Sequence, residues 1–369
     1  MTNKRQTAIP CTLMRGGTSK GPFFLATDLP QDTQLRDRVL LAVMGSPDPR
    51  QIDGVAGAEP LTSKVAIVSK STRPGVDVDY LFAQVSIDKA IVDVSPNCGN
   101  MLAGVGPFAI EKGLVTAGDP TTRVSIHMVN TGNLAVATIE TPRGVVRYDG
   151  GTAIAGVPGT AAPIVIDFLD TAGSVCESLL PTGKPQDRVT GIEVTCIDNG
   201  MPVVVIPAST LGKTGYEFPK DLDADAGFKK RLEELRLAVG PLMGLGDVRD
   251  KVVPKMTLIA PPRAGGHVCT RTFIPHRCHA AIGVLGAVSV ATACVLPGSV
   301  AEGIVKKPSG NPLIFSVEHP SGEFTVTLEV SGSGADFKVG RSGILRTARA
   351  LFDGHVLIPR SVWDGSFRA

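Results

Sequence analysis

Ser95-Pro96-Asn97-Cys98-Gly99-Asn100-Met101 places a thiol where a helix is due to begin. Pro96 fixes the entry of the chain, Asn97 is a capping residue type, and Gly99 lets a ligand approach the backbone closely. The run that follows, 99–110, carries no charge, and a helix apolar all round has to be enclosed by the rest of the protein. A matching arrangement recurs at Arg277-Cys278-His279, which opens a second uncharged, Gly/Ala-rich run reaching Val295. Gly106 and Gly286 each follow their cysteine by eight residues, and the cysteines stand 180 positions apart in a chain of 369. The simplest reading is a duplicated unit, each copy with strands wrapped around a central helix and a reactive group at the helix N-terminus. Such an end presents unpaired N–H groups and positive potential, which bind carboxylates and favour a thiolate.

Strand signals dominate outward from these two runs. β-branched segments separated by Gly, Pro, Asn and Asp predict strands at 65–68, 76–85, 90–94, 124–128, 134–139, 164–168, 192–197, 203–206, 256–260, 313–317 and 324–330. Amphipathic helices are predicted over Asp32 to Met44, with Leu35, Val39 and Val43 on one face, and over Ala224 to Val239, with Phe228, Leu232, Leu235 and Val239 on one face. The turn-rich stretch Pro181-Thr182-Gly183-Lys184-Pro185 is the expected boundary. This gives an N-terminal domain over 1–184, completed by the C-terminal segment 345–369, and a second domain over 185–344.

Composition excludes several classes of function. Lys and Arg total 37 against 35 Asp and Glu, so no basic field marks a nucleic-acid partner. The segment 279–295 approaches the length of a membrane span, but its Gly, Ala and Ser content and its shorter partner point to a buried helix and no membrane. Seven cysteines form no CxxC pair, and the N-terminus has no secretory signal, so free thiols in the cytoplasm are expected.

Lys64 enters a β-branched strand in Thr62-Ser63-Lys64-Val65. On a solvated face it would be an ordinary surface lysine; inside a closed cleft, desolvation would leave a neutral amine able to take a proton from carbon. Cys98 is weighed between a small core residue and a cleft thiol, and its neighbours favour an anion nest. Met14-Arg15-Gly16-Gly17-Thr18-Ser19-Lys20-Gly21 lacks the Walker order and reads as a carboxylate-binding turn, with Arg15, Gly17, Thr18 and Ser19 as contacts. Met44 to Gly54 reads as a helix stop followed by a connecting loop. In the second half Asn199, in the turn Asp198-Asn199-Gly200-Met201-Pro202, and Ser321, in His319-Pro320-Ser321-Gly322, are further candidates. Cys269, His276, Cys278 and His279 lack zinc-ligand spacing, so no metal is expected.

Together Met14 to Gly21, Met44 to Gly54, Thr62 to Lys64, Ser95 to Met101 and the helix opening at His279 resemble the methylaconitate isomerase (PrpF) and 4-oxalomesaconate tautomerase family over nearly the whole chain. The resemblance implies an α+β, diaminopimelate epimerase-like fold: two pseudo-symmetric domains, each a β-roll around a central helix, with the active site between them. It implies a cofactor-free isomerase that transfers a proton over three carbons of a di- or tricarboxylate substrate. By motif, Lys64 matches the catalytic base and Cys98 the cleft thiol. Ser63, Asn97, Gly99, Asn100, Met101, Arg277, Cys278 and His279 join the substrate-binding set.

Departures from the epimerases at Cys278-His279 and Gly200-Met201-Pro202 argue against a symmetrical two-thiol racemase. The opening motif looks more like that of the oxalomesaconate tautomerases of gallate and protocatechuate breakdown than that of the methylaconitate isomerases, which stand as the alternative. A non-catalytic tricarboxylate-binding protein is the alternative of another class, and a homodimer is compatible with such a chain. Both helix N-termini, with Arg15, are expected to converge on one anionic ligand.

Overall fold

The computed structural model describes residues 6–169, 171–310, 312–332 and 336–366. The chain forms two compact units: the first takes in the chain up to Ile166 together with the segment from Arg346 onward, and the second is Asp167–Leu345. The division falls inside a strand, Ile164–Phe168, ahead of the turn-rich stretch at 181–185.

In the first unit β1 (Gln6–Gly16) pairs antiparallel with β2 (Ser19–Leu25) and with the C-terminal strand β17 (Ala348–Pro359). β2 runs parallel to β3 (Lys64–Lys70), which is antiparallel to β4 (Val78–Val85). β4 takes the short β5 (Val92–Asp93) on one edge and lies parallel to β6 (Thr121–Met128), which returns antiparallel as β7 (Asn133–Glu140). A parallel pair needs a crossover, and each is supplied by a helix. α1 (Thr33–Met44) links β2 to β3, and α2 (Gly99–Glu111) lies between β5 and β6.

α1 is capped by Asp32, whose carboxylate accepts from Leu35 N–H at 2.8 Å, and it ends on Gly45 in the left-handed region. Its apolar side, Val39, Leu40, Val43 and Met44, packs with Val65 and Ile67 of β3. α2 has no such sidedness: every residue from Met101 to Ala109 is buried, and β1, β2, β3, β4, β6, β7 and β17 all touch it. It is the core about which the first roll closes.

The second unit repeats this order. β10 (Ile192–Asp198), flanked by β9 (Asp187–Val189), is antiparallel to β11 (Pro202–Pro207), which is parallel to β12 (Lys255–Ala260). β12 is antiparallel to β13 (Val268–Phe273), β13 is parallel to β14 (Leu313–His319), and β14 is antiparallel to β15 (Gly322–Ser331), which pairs with β16 (Lys338–Arg346). The β11–β12 crossover carries α3 (Pro219–Ala224) and α4 (Ala226–Leu242), and Phe228, Leu232, Leu235 and Val239 of α4 are buried as the periodicity predicts. The β13–β14 crossover carries α5 (Val284–Val295), buried from Gly286 to Cys294 and in contact with β10, β11, β14 and β15. The architecture is the predicted duplicated β-roll, with β5 added in the first unit and α3 in the second.

The duplication corrects one expectation. The N-cap of α2 is Cys98, but that of α5 is Gly283, five residues beyond Cys278. Gly106 lies in the second half of its helix and Gly286 in the first turn of the other, so the matched Cys/Gly spacing does not align structurally equivalent positions. Among the described residues no helix is long and apolar enough to cross a membrane.

Candidate active site

Lys64 opens β3 on the face opposite Val65 and Ile67, because side chains alternate along a strand. It is only 9% exposed. Its Nζ donates to Gln84 Oε1 at 2.6 Å and lies 5.0 Å from the centroid of the Phe82 ring. Gln84 is the direct ladder partner of Lys64, and its amide nitrogen donates to Ser63 O at 2.8 Å and Pro60 O at 3.1 Å. Those two carbonyls turn the amide oxygen toward the lysine. Among the described residues no carboxylate pairs with Lys64, so its amine is held by neutral groups whether or not it carries a proton.

Tyr80, four residues before Gln84 and on the same face of β4, carries this surface to α2: its hydroxyl donates to Cys98 O at 3.3 Å. Asn130 braces the approach by donating to Phe82 O at 2.8 Å and Val94 O at 2.6 Å. Cys98 is buried, and its thiol makes no capping bond. The first-turn N–H groups of Gly99, Asn100 and Met101 therefore have no side-chain cap, and the positive end of α2 is left open to an anion.

The β1–β2 turn packs onto that end. Asn100 Nδ2 donates to Thr18 Oγ1 at 3.0 Å, and Gly17 turns at φ +51°, where a Cβ would stand 2.2 Å from Asn100 Oδ1. Gly21 allows β2 to close on β3: a Cβ there would fall 1.8 Å from Lys64 O and 3.2 Å from Met101 Cε. Asn97 Nδ2 donates to Thr131 Oγ1 at 2.5 Å. Three buried oxygens around the turn and helix end, Ser19 Oγ, Asn97 Oδ1 and Asn100 Oδ1, have no partner among the described residues. Buried polar atoms are rarely left so, and here they sit beside an uncapped helix end. Lys64, Cys98, Gly17, Thr18, Ser19, Asn97, Gly99, Asn100 and Met101 thus form one neighbourhood within the first unit.

Other candidates are placed elsewhere. Ser63 is the residue before Lys64 and so faces the α1 side; its hydroxyl donates to Val85 O at 2.9 Å and accepts from Gln51 Nε2 at 2.8 Å, which ties down the 44–54 loop. Arg15 lies on the face of β1 opposite Gly16, the residue that abuts Asn100 and Met101. Its Nη1 donates to Gly17 O, Thr347 O and Thr347 Oγ1 at 2.8–3.0 Å, so it does not join the helix end.

In the second unit Asn199 is fully buried: Nδ2 donates to Thr292 Oγ1 and Ser342 Oγ, both at 2.9 Å, and Oδ1 accepts from Thr171 Oγ1 at 2.6 Å. Both amide hydrogens are spent on internal ties, and Oδ1 keeps one lone pair. Arg277 is exposed in a turn, and Cys278 packs in the core with Phe228 and Phe273, where burial pushes its thiol up to about 12. His279 is half-buried, burial lowers its pKa, and its Nδ1 accepts from Ala281 N–H at 2.8 Å, which leaves Nε2 as the donor of the neutral ring. None of the three lies at a helix N-terminus. Ser321 is exposed in the β14–β15 turn beside His319 Nδ1. Among the described residues no three His, Cys, Asp or Glu side chains gather as a metal site.

The sequence reading passed over Gln84, Tyr80 and Asn130, which hold the lysine and the helix end. The alternation along β4 puts Tyr80, Phe82 and Gln84 on one face and was the available signal. It also passed over Lys255, which opens β12 as Lys64 opens β3. Lys255 faces away from Met256 and Leu258, which join the α4 core, and burial and the charge of Arg236 lower its pKa to about 8.

Two β-rolls, each closed on an apolar buried helix, define the diaminopimelate epimerase-like class of α+β proteins. The chain belongs to the PrpF family, described as PrpF protein, whose family model matches residues 6–359. It is 61% identical over 356 residues to the (4E)-oxalomesaconate Delta-isomerase of Novosphingobium sp. (strain KA1), covering 96% of this chain and 99% of that protein. It is 59% identical over 360 residues to the 4-oxalomesaconate tautomerase of Pseudomonas putida, covering 98% and 99%. The crystal structure of methylitaconate-delta-isomerase matches with a TM-score of 0.85 at 35% identity, covering 99% of both chains.

Proposed function

We propose that this isomerase moves a proton along a three-carbon allylic unit of 4-oxalomesaconate, with Lys64 as the carbon base, Cys98 as proton donor or orienting group, and no cofactor. The observation that carries this reading is Lys64 itself: a buried lysine that has no carboxylate partner among the described residues and is fixed by a neutral amide.

The substrate's acidic C–H is flanked by an alkene and by carbonyl or carboxylate groups, so its conjugate base is a delocalised dienolate. The Lys64 amine takes the proton, the C–H pair moves into the dienolate, and a proton is returned at the far carbon of the three-carbon unit. The N–H groups at the α2 N-terminus and the Ser19 hydroxyl supply donors for the charge that develops on oxygen. Asn97 Oδ1 and Asn100 Oδ1, both without a partner among the described residues, would accept an enol or acid O–H.

Identities of 61% and 59% to proteins named for oxalomesaconate, against 38% to a 3-methylitaconate isomerase and 35% to a 2-methyl-aconitate isomerase, support the substrate choice. The reaction would then lie in gallate or protocatechuate breakdown. All seven cysteines are free, which supports a reducing compartment, the cytoplasm.

The test is incubation with 4-oxalomesaconate and, separately, 2-methylaconitate in deuterated buffer. Deuterium entering oxalomesaconate at catalytic rates, and lost in Lys64→Met, is the expected result. Binding without exchange would identify a tricarboxylate-binding protein, and faster turnover of methylaconitate would transfer the assignment to the methylcitrate reaction.

A further inference from the structure

Arg15, set aside by the helix-end site, belongs to a different cavity of the first unit. Across the β1–β17 ladder Arg15 is the direct partner of Arg349, so the two guanidiniums project from the same face, the one turned away from α2. That face is the wall of a cavity of about 350 Å³. Thr347 and the 148–161 segment complete it, Thr152 and Thr160 among the lining residues. The segment is braced: Thr152 and Ala161 exchange backbone hydrogen bonds at 3.0 Å, and Ala162 N–H donates to Tyr148 O at 2.9 Å.

Among the described residues no carboxylate pairs with either guanidinium. Like charges directly opposite in a sheet repel. Burial and the neighbouring Arg349 both lower the pKa of Arg15. Arg15 is held by Nη1 alone, so its Nε and Nη2 make no bond among the described residues. Arg349 likewise has no hydrogen bond or ion pair among them. The carboxylate on the wall, Asp149, lies 3.5 Å from the Arg147 guanidinium. Glu111 stands beside the Tyr148 hydroxyl outside hydrogen-bonding geometry, and burial raises its pKa toward the neutral acid.

We infer that the Arg15–Arg349 cavity binds a small, multiply charged oxyanion, held between two guanidiniums with the threonine hydroxyls as further donors. One guanidinium is locked by three carbonyl and hydroxyl acceptors and so is pre-organised, and Arg geometry suits carboxylate and phosphate oxygens alike. The chemistry is shared by a free phosphate, a phosphate monoester and a dicarboxylate, and it does not depend on the proton-transfer reading of Lys64.

The experiment is calorimetric titration of the full chain with inorganic phosphate and with succinate, repeated on Arg349→Met and Lys64→Met. Arg349 is exposed, so its replacement leaves the core packing intact, and thermal denaturation checks that it does. Binding of at least one anion to the wild type, weakened at least tenfold in Arg349→Met and retained in Lys64→Met, is expected. Phosphate binding without succinate binding would point to a phosphate or its ester, and the reverse to a dicarboxylate. No binding of either anion, equal binding in Arg349→Met, or a loss confined to Lys64→Met would overturn the assignment.

Discussion

Lys64 Nζ and Gln84 Oε1 stand 2.6 Å apart, and the two residues face each other directly across the β3–β4 ladder. A neutral amide positions the amine without supplying a counter-charge that would hold a proton on it. Replacing Lys64 by Met should leave the fold intact and lower kcat/KM by ~100- to 10,000-fold, the usual contribution of a positioned acid or base. Gln84→Glu is the sharper variant. A carboxylate at hydrogen-bond distance would engage Lys64 in an ion pair, so turnover should drop. Unchanged turnover in Gln84→Glu would remove Lys64 as the base.

The thiols offer a second measurement. Burial raises the pKa of Cys11 to about 11 and of Cys176, Cys196 and Cys278 to about 12, and it raises Cys269 and Cys294 as well. At pH 8 the thiolate fraction of the four groups at about 11 and 12 is roughly a thousandth or less, and the thiolate is the species that alkylates. Cys98, at the open end of α2, should therefore be modified first by iodoacetamide, and substrate should protect it. Mass-spectrometric mapping that finds another cysteine first, or no protection, would place Cys98 outside the site.

Much of this arrangement is legible in the sequence because period and punctuation are strong there. α1 and α4 show their buried faces as apolar residues three and four apart, and the helix after Cys98 declares itself by having no polar face. β13 and β17 escaped because their composition is mixed: β13 reads Val-Cys-Thr-Arg-Thr-Phe, and β17 holds Asp353 and Gly354. Spacing misled at Cys278, because the loop entering α5 is longer than the one entering α2 and shifts the cysteine off the helix end. Facing misled at Ser63 and Arg15, since a single position along a strand reverses the side to which a side chain points.

Lys255 yields a pH dependence. Its pKa is lowered to about 8 from an ordinary value of 10.5, chiefly by burial and further by Arg236, which is itself bound to Glu233. Between these values the unfolded chain binds more protons than the folded one, so stability should rise with pH across that window, and the penalty is present in full below about 8. At pH 7 Lys255→Met should be more stable than the wild type, by about 1 kcal/mol once solvent screening of a partly exposed ammonium is allowed for. The gap should close toward pH 10. Urea denaturation at pH 7 and pH 9.5 reads both, and a pH-independent difference would show that the lysine is not strained by its surroundings.

Asn199 supplies the last test, because it separates a structural role from a substrate-binding one. Its backbone N–H donates to Ser289 Oγ at 3.0 Å, and its amide joins Thr171, Thr292 and Ser342, so one side chain fastens the β10–β11 turn to α5 and β16. Asn199→Ala would leave these buried hydroxyls short of partners, each unsatisfied group costing about 1–3 kcal/mol. The expected outcome is a loss of stability of about 2–4 kcal/mol in urea denaturation. In the fraction that remains folded, KM for the tricarboxylate should stay close to the wild-type value. A large rise in KM with unchanged stability would return Asn199 to the substrate-binding set.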